Sequence, residues 1–230
     1  MSGAASPAGQ GGRFPRCVLF DLDGTLLDSA PDMAATLNRM RAARGAAPME
    51  LADVRPHVSR GARAMSAAGF PELGGEVGPE IVREFLDTYA IELGRHGAAF
   101  DGIEAMLAAL EADGTCWGII TNKPEYLARA LMPSLGWETR SAVLIGGDSL
   151  AERKPHPLPL LHAAAQLGFA PADCVYVGDD ERDILAARAA GMRSLVALWG
   201  YRLQHDDPLT WQADAMADAP RDLLDPAAWP

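Results

Sequence analysis

The sequence predicts an α/β fold, a parallel sheet covered by helices, with a small all-helical lobe inserted after the first strand. Three observations carry that expectation. Short apolar runs without polar alternation recur at Cys17 to Phe20, Cys116 to Ile120, Ala142 to Ile145, Cys174 to Val177 and Ser194 to Leu198, as strands buried on both faces require. Segments of helical period separate them, which makes right-handed βαβ units and a parallel sheet. One stretch, from about Ser29 to Gly97, holds helical periods and no convincing strand.

Each element follows from its residues. Met1 to Gly12 is rich in Gly, Ala and Ser and has no period, so it reads as a flexible tail. It has neither the basic start nor the apolar segment of a secretory signal. After the first strand, Ser29-Ala-Pro-Asp32 resembles a capping box with Asp in place of Glu. Met33, Leu37 and Met40 then recur at helical spacing up to Gly45, and Val82, Phe85, Leu86 and Tyr89 repeat the pattern before Gly94. This places a separate lobe at residues 29–98, with the α/β core formed by 13–28 and 99–230. Ile103, Met106, Leu107 and Leu110 share a helix face that Asp113-Gly114 ends. Pro124 can open a helix that carries Leu127, Leu131 and Leu135 inward, and Pro133 within it predicts a kink or early stop. Pro157 to Leu167 and Arg182 to Ala190 are helical and are each followed by glycine, Gly168 and Gly191.

Composition bounds the function. Twenty basic against 31 acidic residues give a formal charge of −11. A protein that grips nucleic acid through phosphates shows the opposite sign, and an anionic membrane surface is disfavoured for the same reason. No apolar run approaches the roughly 18 residues of a membrane helix. The three cysteines, Cys17, Cys116 and Cys174, are odd in number, far apart in sequence and set in or beside apolar runs. Free core thiols in a reducing cytoplasm fit this better than disulfides or zinc, so the expected localisation is cytoplasmic.

The residues with chemistry begin at Phe20-Asp21-Leu22-Asp23-Gly24-Thr25-Leu26, where a buried strand runs into two carboxylates one residue apart and then glycine. Three further stretches follow in order: Gly118-Ile-Ile-Thr121-Asn122, Arg153-Lys154-Pro155-His156-Pro157, and Val177-Gly178-Asp179-Asp180-Glu181-Arg182-Asp183. Together these resemble the four motifs of the haloacid dehalogenase superfamily of phosphohydrolases. The likeness spans Phe20 to Asp183. It implies a Rossmann-like α/β parallel-sheet core with a small all-helical cap domain inserted after the first strand. In an open parallel sheet, ligands bind beyond the carboxyl ends of the strands, where Asp21, Thr121 and Asp179 all fall. Four crowded carboxylates (Asp21, Asp23, Asp179, Asp183) repel unless a cation joins them, and a hard divalent ion such as Mg²⁺ suits oxygen donors.

The resemblance implies further roles. Asp21 is the expected nucleophile and Asp23 the acid and base. Expected metal ligands are Asp21, the backbone carbonyl of Asp23, and Asp179, with Asp183 orienting the ion or its water. Thr121 and the Asn122 amide are expected to bind phosphoryl oxygens, and Lys154 to neutralise charge on the nucleophile and phosphoryl group. Asp180 reads more readily as a helix-start carboxylate than as a ligand, and His156 as loop structure. In the lobe, Val58-Ser59-Arg60-Gly61-Ala62-Arg63 is a polar patch resembling a cap loop that selects substrates. Arg60, beside Gly61, is the candidate for a substrate carboxylate, because a guanidinium binds carboxylate as a fork.

The expected partner is a small-molecule phosphate monoester, not nucleic acid or membrane. The acid at Asp23 argues against dehalogenation and leaves a phosphatase or a sugar-phosphate mutase. Asp21 to Asp32, Gly146 to Leu150 and Gly178 to Asp183 resemble bacterial phosphoglycolate phosphatases. The tail from Trp199 to Asp214 and the Ser59 to Met65 patch resemble N-acetylmuramic acid 6-phosphate phosphatases.

Overall fold

Strand β1, Cys17–Phe20, is buried at every position, because it lies at the centre of a six-stranded sheet. The structure is a computed structural model that describes residues 12–73 and 76–230. Of the expected tail, Met1 to Gly12, all but Gly12 lies outside the described residues. The other strands of the sheet are β4 (Cys116–Ile120), β5 (Leu144–Ile145), β6 (Cys174–Gly178), β7 (Arg193–Ala197) and β8 (Ala215–Ala217). Their order is β5-β4-β1-β6-β7-β8 and every pairing is parallel. The chain builds outward from β1 first to one side and then to the other. The order therefore reverses at β1, which opens a crevice at the carboxyl ends of β4, β1 and β6.

Alternate residues of these strands go to opposite faces. Val18, Phe20, Trp117, Ile119, Val175 and Val177 pack beneath α5 (Ile103–Ala112) and α6 (Glu125–Leu135). Cys17, Leu19, Ile120, Cys174 and Tyr176 pack beneath α7 (Leu158–Leu167) and α8 (Glu181–Ala190). Two buried faces explain the uninterrupted apolar runs.

Between β1 and α5 the chain forms α1 (Ala30–Ala42), short α2 (Leu51–Val54), α3 (Gly61–Gly69) and α4 (Pro79–Glu92). Their apolar faces make a further cluster that includes Leu37, Met40, Val54, Met65, Phe70 and Phe85 and is joined by Leu127 and Tyr201 of the sheet domain. The segment leaves and rejoins the sheet domain through two antiparallel two-residue strands, β2 (Leu27–Asp28) and β3 (Ala98–Ala99).

Three local expectations change. Ser29 stands at the start of α1, but its side chain caps nothing. The Asp32 carboxylate turns away to accept the backbone N–H groups of Gly94, Arg95, His96 and Gly97 at 2.7–3.1 Å. Four donors outcompete one cap, and they tie the start of the lobe to its end. Pro133 does not stop α6, which runs to Leu135 and closes at Gly136 with φ +70°. In the last turn a missing N–H forfeits a single helix bond. Strand β8, whose Ala-Met-Ala carries no strand pattern, was not foreseen. It completes the far edge beside β7, with the Leu198 N–H donating to the Ala217 carbonyl at 2.9 Å.

Candidate active site

Asp21 is the first residue beyond β1, and its N–H still donates to the Val177 carbonyl of β6 at 2.9 Å. The ladder thus carries Asp21 to the carboxyl edge beside Asp179, which follows β6. Asp21, Asp179 and Asp183 are all buried and offer carboxylate oxygens within 4.8 Å of one another. Gly24 permits this approach. Its φ is +88°, and a Cβ there would stand 2.2 Å from Asp179 Oδ2, so the turn needs glycine for both conformation and space.

Lys154 is 3% exposed, and all three ammonium hydrogens find partners. Nζ lies 2.9 Å from Asp21 Oδ1 and 2.7 Å from Asp183 Oδ1. It also donates to the Tyr176 hydroxyl at 2.8 Å, which donates to the Ile120 carbonyl at 2.7 Å. Burial pulls the Lys154 ammonium down, but the charges of Asp183 and Asp21 outweigh it and hold the group above its ordinary value. One cation does not balance three carboxylates. Burial, followed by Asp21 and Asp183, pushes Asp179 well above the carboxylate range against the Tyr201 N–H and Ser59 hydroxyl. Asp183 rises to about 7, driven by burial and opposed by Lys154. An all-oxygen, buried donor set short of positive charge fits a hard divalent cation.

The remaining expected residues are placed as follows. Thr121, beyond β4, is 4% exposed, and its Oγ1 accepts the Lys123 N–H at 3.2 Å. Asn122 donates its side-chain amide to the Lys154 carbonyl at 2.9 Å, while its buried Oδ1 has no partner among the described residues. Asp180 caps α8: it accepts the Arg182 N–H, and Asp183 accepts the Asp180 N–H in return. Its side chain pairs with the Arg182 guanidinium at 2.7 Å. That pairing outweighs burial and holds Asp180 below its ordinary value. Asp180 is therefore the helix-start carboxylate the sequence favoured.

A cavity of about 370 Å³ lies over this edge. Asp21, Asp23, Thr121 and Lys123 are in its floor, and Met33, Val58, Val82, Phe85 and Leu86 of the inserted lobe give it an apolar roof. Gly61 opens on it with φ +82° and nothing within 4 Å of a hypothetical Cβ. Arg60 lines the same cavity, but its Nη2 already donates to both oxygens of Asp206, at 2.9 and 3.1 Å. The fork expected to hold a substrate carboxylate thus holds one of the chain's own. Among the described residues, Arg63 and Arg153 are the cavity arginines with no carboxylate partner.

The sequence reading missed three groups. Lys123, 7% exposed, donates to Asp23 Oδ1 and Oδ2 at 3.0 and 3.1 Å and to the Tyr89 hydroxyl of α4 at 2.5 Å. Ser59 of the lobe donates to Asp179 Oδ2 at 2.8 Å. The Tyr201 N–H donates to the same oxygen at 2.8 Å, and the Tyr201 hydroxyl donates to Asp28 Oδ1 at 2.7 Å. One sequence signal pointed at Lys123: the chain has only two lysines, and the other is Lys154.

The sequence signature of haloacid dehalogenase-like hydrolases matches residues 15–191. The chain belongs to that family. Among family members, it is 62% identical over 218 residues to a phosphoglycolate phosphatase of Xanthomonas campestris, covering 95% of this chain and 99% of that one. It is 44% identical over 211 residues to an N-acetylmuramic acid 6-phosphate phosphatase of Pseudomonas aeruginosa, covering 91% and 93%. A crystal structure of a predicted phosphoglycolate phosphatase from Haemophilus somnus superposes with a TM-score of 0.80 at 26% identity, over 92% of this chain and 97% of that one. In this haloacid dehalogenase-like hydrolase, no helix among the described residues is long and apolar enough to cross a membrane.

Proposed function

We propose that this chain is a Mg²⁺-dependent phosphomonoesterase that works through an aspartyl phosphate on Asp21, with 2-phosphoglycolate as its first substrate. The observation that carries the reading is Lys154, bonded at once to Asp21 and Asp183 beside Asp179. The 62% relative named for phosphoglycolate supports the substrate.

Asp21 attacks phosphorus, forming an O–P bond as the ester P–O bond breaks. Asp23 gives its proton to the departing alkoxide. Water then attacks the phosphorus of the intermediate, Asp23 takes a proton back, and inorganic phosphate leaves with Asp21 restored. Lys123 holds both Asp23 oxygens and so fixes the carboxyl toward the leaving group. Lys154 neutralises charge on Asp21 and on the phosphoryl group it receives. Thr121 and the Asn122 amide receive phosphoryl oxygens. Asp21, the Asp23 carbonyl, Asp179 and Asp183 would hold Mg²⁺, which supplies charge stabilisation of the phosphoryl group. Residues 29–98 serve as a cap that excludes water from the cavity and reads the leaving group. Arg153 and Arg63 are better placed than Arg60 to meet a substrate carboxylate, since neither is paired with a carboxylate of the described residues.

A specific observation favours a second substrate, N-acetylmuramic acid 6-phosphate. The roof is apolar and the cavity of about 370 Å³ is roomy for a two-carbon acid, whereas an N-acetylated sugar acid presents both a carboxylate and apolar groups. Phosphate release from 2-phosphoglycolate, N-acetylmuramate 6-phosphate and β-glucose 1-phosphate, with and without Mg²⁺, tests these readings. Faster release from 2-phosphoglycolate supports the first and from the sugar acid the second. Isomerised sugar phosphate without free phosphate would refute hydrolysis.

A further inference from the structure

The sequence contains three cysteines in 230 residues, and the fold sets all three in one row. Cys17 pairs in register with Cys116 on one side and with Cys174 on the other. In-register neighbours of a parallel sheet point to the same face. Here that is the face of Leu19, Ile120 and Tyr176, while Val18, Trp117 and Val175 occupy the other. The row stands at the amino ends of the strands, opposite the catalytic edge. Asp21 stands four residue steps beyond Cys17 along β1, or about 13 Å at the usual rise per residue.

The members of the row differ. Cys17 and Cys174 are buried and Cys116 is half-buried. Cys174 also donates its S–H to the Ala170 carbonyl at 3.5 Å. Cys116 is therefore the point of entry, and Cys17 is its neighbour. Strand spacing fixes what such a pair can hold. Neighbouring strands lie about 4.8 Å apart, and a disulfide needs Cβ atoms about 3.8 Å apart, so a disulfide would require the sheet centre to pinch. Two metal–sulfur bonds of about 2.3 Å in line span about 4.6 Å, close to the spacing of the two strands that carry Cys17 and Cys116.

We propose that Cys17 and Cys116 form a two-thiolate site for a soft d¹⁰ cation, held in near-linear coordination at the amino-terminal edge of the sheet. On binding, two S–H bonds break, both protons pass to water and two metal–sulfur bonds form, with no change of oxidation state. Soft thiolate ligands select such ions. The neighbouring Cys17 lowers the Cys116 thiol to about 7, whereas Cys116, Cys174 and burial push Cys17 itself well up, so the ion has to displace the Cys17 proton as it binds. A divalent ion leaves the complex neutral, as an apolar surrounding demands. Zn²⁺, which takes four ligands in structural sites, finds too few here.

The test uses the full chain with Hg²⁺ or Cu⁺ added in a buffer containing excess monothiol, read by native mass spectrometry. One ion per chain is expected to survive the competition, because the second thiolate adds about 10²-fold or more in retention. Zn²⁺ is expected to be removed. C116S should lose that retention and C174S should keep it, and unchanged phosphate release by C116S shows that the variant is folded. Equal retention by wild type and C116S, loss in C174S alone, or several weakly held ions in the wild type would each overturn the proposal. Survival of Hg²⁺ but not Cu⁺ supports a neutral complex at the same two thiols, and survival of both supports the site without regard to charge.

Discussion

Lysine is rare in this chain, two residues against eighteen arginines, and both lysines are buried beside carboxylates of the candidate site, Asp23 and Asp21. A compact ammonium delivers three donors to converging oxygens where a planar guanidinium cannot fit. Lys123→Met should therefore leave Asp23 unheld. The expected loss is about 10²-fold on alkyl phosphates and less than about tenfold on p-nitrophenyl phosphate, whose leaving group needs no proton. Steady-state rates on the two substrates check this, and equal losses would contradict the assigned role. Arg153→Ala should raise KM for a carboxylate-bearing ester more than for p-nitrophenyl phosphate, while Arg60→Ala should do so less. Asp21, Lys154 and Asp179 were legible in the sequence because each adjoins a strand end or a proline-bounded loop. Lys123, Ser59 and Tyr201 were not, because their partners lie 100 to 120 or 22 residues away, and contacts of that kind exist only once the sheet and the lobe are assembled.

At the scale of elements, the buried strands and the helices between them were readable because two-sided burial and the 3.6-residue period leave direct marks on sequence. The capping role expected of Asp32 failed for the opposite reason. Its actual donors come from Gly94 to Gly97, a long-range arrangement that no local pattern records. The same capping pattern does occur at Asp180 and Asp183, where both partners are local to α8. Asp32→Ala would strand four N–H groups at the junction of the lobe. It should lower stability by about 3 kcal/mol or more, measured by urea denaturation; a change under about 1 kcal/mol would show that water or another group replaces the carboxylate. β8 escaped notice because three residues of Ala and Met are too short to carry a period, and its place is set by the free edge of β7.

For the molecule as a whole, charge decides how the three buried carboxylates behave. Asp183 titrates near 7 in the folded chain against an ordinary 3.8, so between those values the folded state binds more protons than the unfolded one. Stability from this group is present below about 3.8 and is lost as pH rises toward 7. Asp179 shifts in the same direction. Mg²⁺ held by these carboxylates would replace those protons, so it should raise Tm more at pH 7.5 than at pH 5. At a hundredfold excess over its Kd the gain is about 2.7 kcal/mol, or roughly 5–10 °C for a chain of this size; no gain at pH 7.5 in differential scanning fluorimetry would remove the cation from the account. The proposed mechanism has Asp21 carry the phosphoryl group in mid-reaction. Rapid quenching during turnover, borohydride reduction and peptide mapping should convert Asp21 to homoserine in the wild type and yield none in Asp21→Asn. Turnover with no modified Asp21, or with the label on a different side chain, would contradict it.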